Sequence, residues 1–141
     1  MGAVPLTRWL NTWFRTPTLG ERGERQAVRF LRRRGYRIAA TRRRLRYGEI
    51  DVVAVIGKTV VFVEVKTRRS ETAGRPALAV DDLRRRRMTR AATAFLKSHG
   101  LLEYPARFDI VEVVWPSEAR RPAITHHENA FPAEGHGQFF R

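Results

Sequence analysis

Two runs rich in Val and Ile dominate the hydrophobic pattern, Gly48-Glu49-Ile50-Asp51-Val52-Val53-Ala54-Val55-Ile56 and Thr59-Val60-Val61-Phe62-Val63-Glu64-Val65-Lys66. Only Gly57-Lys58 separates them, and Gly supplies the positive φ that a tight hairpin turn needs. Both faces of each run are largely apolar, which predicts central strands covered on both sides. Pairing Ile56 with Thr59 sets Asp51 opposite Glu64 and Glu49 opposite Lys66. Side chains alternate along a strand, so these four share one face.

Helical periodicity flanks this hairpin. Thr18 and Glu21 have the spacing of a capping box, and the helix they open runs to about Arg34, with Gly35 as its C′ residue. Its expected inward stripe is Gly20, Glu24, Ala27, Val28 and Leu31. A strand follows from Tyr36 to about Leu45. A second helix is expected from Val80 or Asp81 to just before Gly100, with Leu83, Met88, Ala91, Ala92, Phe95 and Leu96 inward. Arg107 to Trp115 reads as a final strand stopped by Pro116. The fold class is therefore α/β, in the order αβββαβ, with a mixed central sheet flanked by helices. Residues 1–17 are an N-terminal extension in which Leu6, Trp9, Leu10, Trp13 and Phe14 recur at helical spacing. Residues 18–116 form the domain. Residues 117–141 are a tail partly packed on it, with one compact piece from Ile124 to Phe131.

Composition narrows the partners. The 141-residue chain carries 28 Lys and Arg against 14 Asp and Glu, a net charge of +14. Such a field attracts polyanions, and nucleic acid is the commonest in a cytoplasm. The absence of Cys excludes disulfides and thiolate metal sites. No apolar run reaches the ~20 residues needed to span a bilayer, and Trp9, Asn11, Trp13 and Arg15 interrupt any signal-peptide core. The expectation is a cytoplasmic protein without a membrane partner. Arg42, Arg43, Arg44, Arg68, Arg69 and the run Arg84, Arg85, Arg86, Arg87 are candidate phosphate contacts, with a solvated basic face as the alternative. His126, His127 and His136 lack the acids or thiols of a zinc site and are read as solvated or hydrogen-bonded.

The hairpin carboxylates are the candidate chemistry. Asp51 and Glu64 repel across the strands, and their apolar surroundings make unpaired charge costly. A hard divalent cation, Mg²⁺ or Mn²⁺, relieves this. Its water would then attack a phosphodiester, with Lys66 orienting it or offsetting developing charge. The competing reading is a Glu49–Lys66 salt bridge beside a solvated Asp51.

These elements, with an acid on the first helix and D…E-x-K across the hairpin, resemble the PD-(D/E)xK, restriction-endonuclease-like nuclease core. Gly23-Glu24, Gly48-Glu49-Ile50-Asp51, Val61-Phe62-Val63-Glu64-Val65-Lys66-Thr67-Arg68, Arg107-Phe108-Asp109-Ile110-Val111 and Asn129-Ala130-Phe131 resemble the bacterial YraN family. That family is predicted to be endonuclease-like, with kinship to archaeal Holliday junction resolvases. The resemblance covers roughly residues 18–131. It implies Asp51, Glu64 and Glu24 as metal ligands and Asp51, Glu64 and Lys66 as catalytic residues; it gives Glu49 no settled role, and Glu49 is read as a support behind the ligands. It implies a Mg²⁺- or Mn²⁺-dependent endonuclease acting on DNA of branched or structured form, with RNA as the alternative substrate, and a homodimer by analogy with resolvases. The family's usual Asn ahead of the Gly-Glu-Ile-Asp block is replaced here by Arg42. A non-catalytic nucleic-acid-binding module of the same fold is the alternative, because fold alone does not establish activity.

Overall fold

A computed structural model of the chain describes residues 15–45, 48–70 and 80–134, and of residues 43–45 the backbone alone. The expected N-terminal helical repeat, much of the basic loop after β3, and His136 lie outside the described residues. The elements are α1 (Leu19–Arg33), β1 (Arg37–Leu45), β2 (Gly48–Ile56), β3 (Thr59–Arg68), α2 (Asp82–Ser98), β4 (Ala106–Val114) and β5 (Ala123–Phe131). The expected order αβββαβ is present, extended by a fifth strand from the compact piece of the tail.

The five strands lie in sequence order across one mixed sheet. Antiparallel pairs join β1 to β2, β2 to β3, and β4 to β5. The β3–β4 pair is parallel and α2 is its crossover. Gly57 takes φ +59° in the hairpin turn. Ile56 pairs with Thr59 and Val52 with Val63, which is the register expected from the sequence.

Each helix covers one face of the sheet. Ala27 and Leu31 of α1 pack with Val52, Ala54, Val61, Val63, Val111 and Val113. Met88, Ala91, Ala92, Phe95 and Leu96 of α2 pack with Ile50, Val53, Phe62, Phe108 and Ile110. Burying the Val, Leu, Ile, Phe and Met side chains among these contributes ~1.5–3 kcal/mol each, and burial on both faces fixes which strand face meets which helix. No helix among the described residues is long and apolar enough to cross a membrane.

Local signals set the helix ends. Thr18 caps α1 by accepting from the Glu21 N–H at 3.1 Å, and Asp81 caps α2 by accepting from the Arg84 N–H at 2.8 Å. Each cap satisfies one otherwise orphaned donor. Two expectations need correction. Leu83, expected inward, is 57 % exposed, because it falls in the first turn of α2, away from the sheet. Gly20 is exposed, and Gly23 takes the buried place on the α1 stripe. A Cβ on Gly23 would stand 1.9 Å from the Thr67 hydroxyl oxygen, so only glycine lets α1 lie this close to β3.

Candidate metal and nucleic-acid site

The β2–β3 ladder runs from the turn to Val52 and Val63. Beyond it the Asp51 carboxylate accepts a 2.8 Å hydrogen bond from the Val65 backbone N–H. A side chain thus takes the acceptor's place where the paired register stops, so the expected Asp51–Glu64 and Glu49–Lys66 backbone pairs are not part of the ladder. Asp51 nonetheless lies close enough to Glu64 for the two carboxylates to interact. Burial pushes the Asp51 carboxyl up to about 7, the Glu64 carboxylate adds to the rise, and the Val65 N–H opposes it. Weaker influences from Glu24, upward, and Arg84, downward, place both groups in the same neighbourhood.

Glu64 is only 8 % exposed. Arg84, from the first turn of α2, donates to both its oxygens, through Nη2 at 2.7 and 2.8 Å and Nε at 3.2 Å. This forked geometry is the strong form of a charge-assisted pair. Lys66 lies two residues further along β3 and so shares the face of Glu64. Glu24 is held by Arg42, which also lies 3.8 Å from Glu21. Glu49 is exposed on β2, in backbone register with Arg44.

The donor set fits a hard cation in part. A carboxyl that keeps its proton near neutral pH because it is buried, and further because a second carboxylate adjoins it, is the arrangement a divalent ion would discharge. Among the described residues, however, no three acidic or histidine side chains converge as a ready-made ligand cluster. Asp51 and Glu64 form the fitting pair, and Glu24 faces Arg42.

The candidate phosphate contacts divide by environment. Arg84 is engaged by Glu64. Arg68 pairs with Glu112 at 2.9 Å, and Arg69 donates to the Trp115 carbonyl at 3.1 Å. The Arg85 guanidinium lies over the Phe131 ring. Arg86 and Arg87 are exposed on α2. Arg43 and Arg44 face Ile50 and Glu49 in backbone register on β1. Arg42 sits at φ +50°, a left-handed conformation for which Asn is favoured over other non-glycine residues.

Sequence reasoning missed a second acidic centre. Asp109 on β4 is fully buried. It binds Arg107 at 3.0 and 3.3 Å, His126 at 2.8 Å and the Asn129 N–H at 2.8 Å. Burial works to raise its carboxyl, but the bonds from His126, Arg107 and Asn129 prevail and lower it. Tyr36 joins by accepting from Arg107 at 2.9 Å. Asn129 takes φ +50°, within the irregular β4–β5 register that aims its N–H at Asp109. Asp109 neighbours Phe108 and Ile110, which face α2, so it lies on the α1 side with Val111. Its partners close a structural network, and His126 is one of them, hydrogen-bonded as expected. The sequence signal was available in the alternation of β4, where an acid interrupts an apolar face.

A family model described as "Uncharacterised protein family UPF0102" matches residues 23–113. A UPF0102 protein of Rhodopirellula baltica is 43% identical over 125 residues, covering 86% of this chain and 75% of its own. One from Geobacter sulfurreducens is 47% identical over 113 residues, 80% of this chain and 88% of its own. A third, from Symbiobacterium thermophilum, is 45% identical over 115 residues, 82% of this chain and 97% of its own. None of these names states an activity.

Proposed function

The chain belongs to the UPF0102, or YraN, family, and we propose from its site chemistry that it is a divalent-metal-dependent endonuclease hydrolysing DNA phosphodiesters. The observation that carries this reading is the Asp51–Glu64 pair. Two carboxylates adjoin at the end of a strand ladder, one of them driven to about 7 by burial and by its neighbour. Folding that accepts such a cost suits a site with a cation to bind.

Asp51 and Glu64 would hold Mg²⁺ or Mn²⁺. When bound, such an ion polarises the phosphoryl group and makes water a competent nucleophile near neutral pH. The Val65 N–H fixes the orientation of Asp51. Lys66, on the face of Glu64, offsets the charge that develops on the phosphate oxygens. Glu24 would join the ligands if Arg42 released it. The Arg-rich surface supplies salt-sensitive affinity with little reading of sequence.

One observation favours a second reading, a nucleic-acid-binding module without hydrolysis. Arg84 already neutralises Glu64 through both its oxygens, so the site carries its own counter-ion. The test is incubation of the purified protein with four-way junction, flap and duplex DNA in Mn²⁺, beside Asp51→Asn and Lys66→Ala. The nuclease reading expects cleavage by the native chain and loss in both variants. Cleavage that survives both changes, or its absence on all three substrates, rejects it.

A further inference from the structure

The arginines of α1 fall into two groups. Arg22 stacks over the Trp115 ring and Arg34 over the Phe30 ring, each 4.3 Å from the centroid. These guanidiniums serve packing. Arg25, Arg29 and Arg32 are exposed, and among the described residues no acid pairs with them. They recur at i, i+4 and i+7, which puts them in one row on the helix. That row lines a cavity of about 390 Å³ between α1 and β1, with Glu21, Glu24, Val28, Thr41 and Arg42. Both acids in the cavity are already engaged, Glu21 by Arg15 and Glu24 by Arg42. The three arginines therefore present uncompensated charge to a groove, whereas a merely solvated face would have no concave wall opposite.

We propose that this groove is the track of one DNA strand, with Arg25, Arg29 and Arg32 binding successive backbone phosphates. The row spans about 10 Å at ~1.5 Å per residue. One strand of duplex DNA carries a phosphate per ~3.4 Å of axis, so three successive phosphates span about 7 Å and four about 10 Å, within reach of three long side chains along this row. Guanidinium suits the task, because its fork binds phosphate oxygens through two donors. Glu24 lines the groove and its charge acts on Asp51, so one end of the groove lies near the carboxylate pair. The direction of the track, toward Asp51, rests on the nuclease reading. Its affinity for phosphate does not.

The experiment measures DNA affinity against salt concentration in EDTA, where no hydrolysis can intervene. The triple variant Arg25→Gln/Arg29→Gln/Arg32→Gln is compared with Lys97→Gln/Arg120→Gln/Arg121→Gln, which removes equal charge elsewhere on the surface. All six positions are exposed, and circular dichroism verifies that both proteins fold. The groove variant is expected to flatten the slope of log K against log salt by about 2–3, at ~0.7–0.9 per lost phosphate contact, and the control by less than 1. Equal slopes in the two variants, or a groove variant with the native slope, overturn the track. A protein that binds through the groove yet cleaves no substrate keeps this proposal and loses the nuclease. One that cleaves but shows no groove dependence does the reverse.

Discussion

Asp51 lies one residue beyond Val52 of the last backbone pair, and its carboxylate accepts a 2.8 Å hydrogen bond from the N–H of Val65, two residues beyond Val63. A strand ladder is thus ended by a side chain whose own ionisation is costly. The first prediction concerns that cost. Asp51 is raised to about 7 in the fold, against a carboxyl near 4 when unfolded. The folded state holds the extra proton between those values. Stability contributed by this group is therefore full below about pH 4, falls as pH rises toward about 7, and is flat above. The span is on the order of 4 kcal/mol as an upper bound. Asp51→Asn keeps an acceptor for Val65 and removes the dependence. Urea unfolding at pH 4.5 and 8 in EDTA should show the variant gaining stability only at the higher pH.

Arg84 should act as a stand-in counter-ion. Arg84→Ala leaves Glu64 buried beside Asp51 without its partner, a loss of about 1–3 kcal/mol given that charged hydrogen bonds of this kind are half exposed. If a divalent ion takes the same oxygens, Mn²⁺ should raise the melting temperature of this variant more than that of the native chain. Equal shifts would place Mn²⁺ elsewhere.

Gly23→Ala should destabilise despite alanine's better helix propensity. Propensity favours the change by ~0.5–1 kcal/mol, but the new Cβ meets Thr67 Oγ1, Cγ2 and Cβ between 1.9 and 2.8 Å. Thr67 is β-branched and cannot swing clear, so α1 must shift at about 1–3 kcal/mol. The displaced neighbour, Glu24, should then lose its influence on the site. Denaturant midpoints measure the first effect, and the midpoint of Asp51 titration by NMR the second.

Asp109→Ala should cost about 3–5 kcal/mol, the range for removing one partner from a buried ionic network. Its pH signature is opposite in sign to that of Asp51. The Asp109 carboxyl is lowered in the fold, so its contribution is full above the unfolded value near 4 and disappears as pH falls through the folded one. Acid unfolding of the variant should begin at higher pH than that of the native chain. DNA affinity should not change once folding is assured, because Asp109 is fully buried and neither it nor its partners Arg107, His126, Asn129 and Tyr36 line the α1–β1 groove.

Much of this architecture was legible because apolar runs and punctuation agreed. Thr18, Gly35, Gly57 and Asp81 marked element ends, and the Val-rich runs gave the central hairpin with its register through Val52 and Val63. The fifth strand was not read as a strand because His126, His127 and Glu128 break any alternation. Its polar side chains are satisfied by Asp109 and Tyr36, contacts that depend on tertiary placement. In the candidate site, Asp51, Glu64 and Lys66 stood out from the hairpin alone. The local geometry did not, since periodicity cannot foresee a ladder that stops at Val52 or a carboxylate that bonds Val65. Nor could sequence choose Arg84 among four consecutive arginines as the partner of Glu64. That choice follows from where the Asp81 cap starts α2.

Calorimetric titration of the native chain with Mn²⁺ at pH 6 and 8, beside Asp51→Asn, tests the central claim most directly. The account predicts one bound ion, tighter binding at pH 8, release of about one proton at pH 6, and loss of both binding and proton release in Asp51→Asn. Native-strength Mn²⁺ binding by Asp51→Asn, or no uptake by the native chain at either pH, would contradict it.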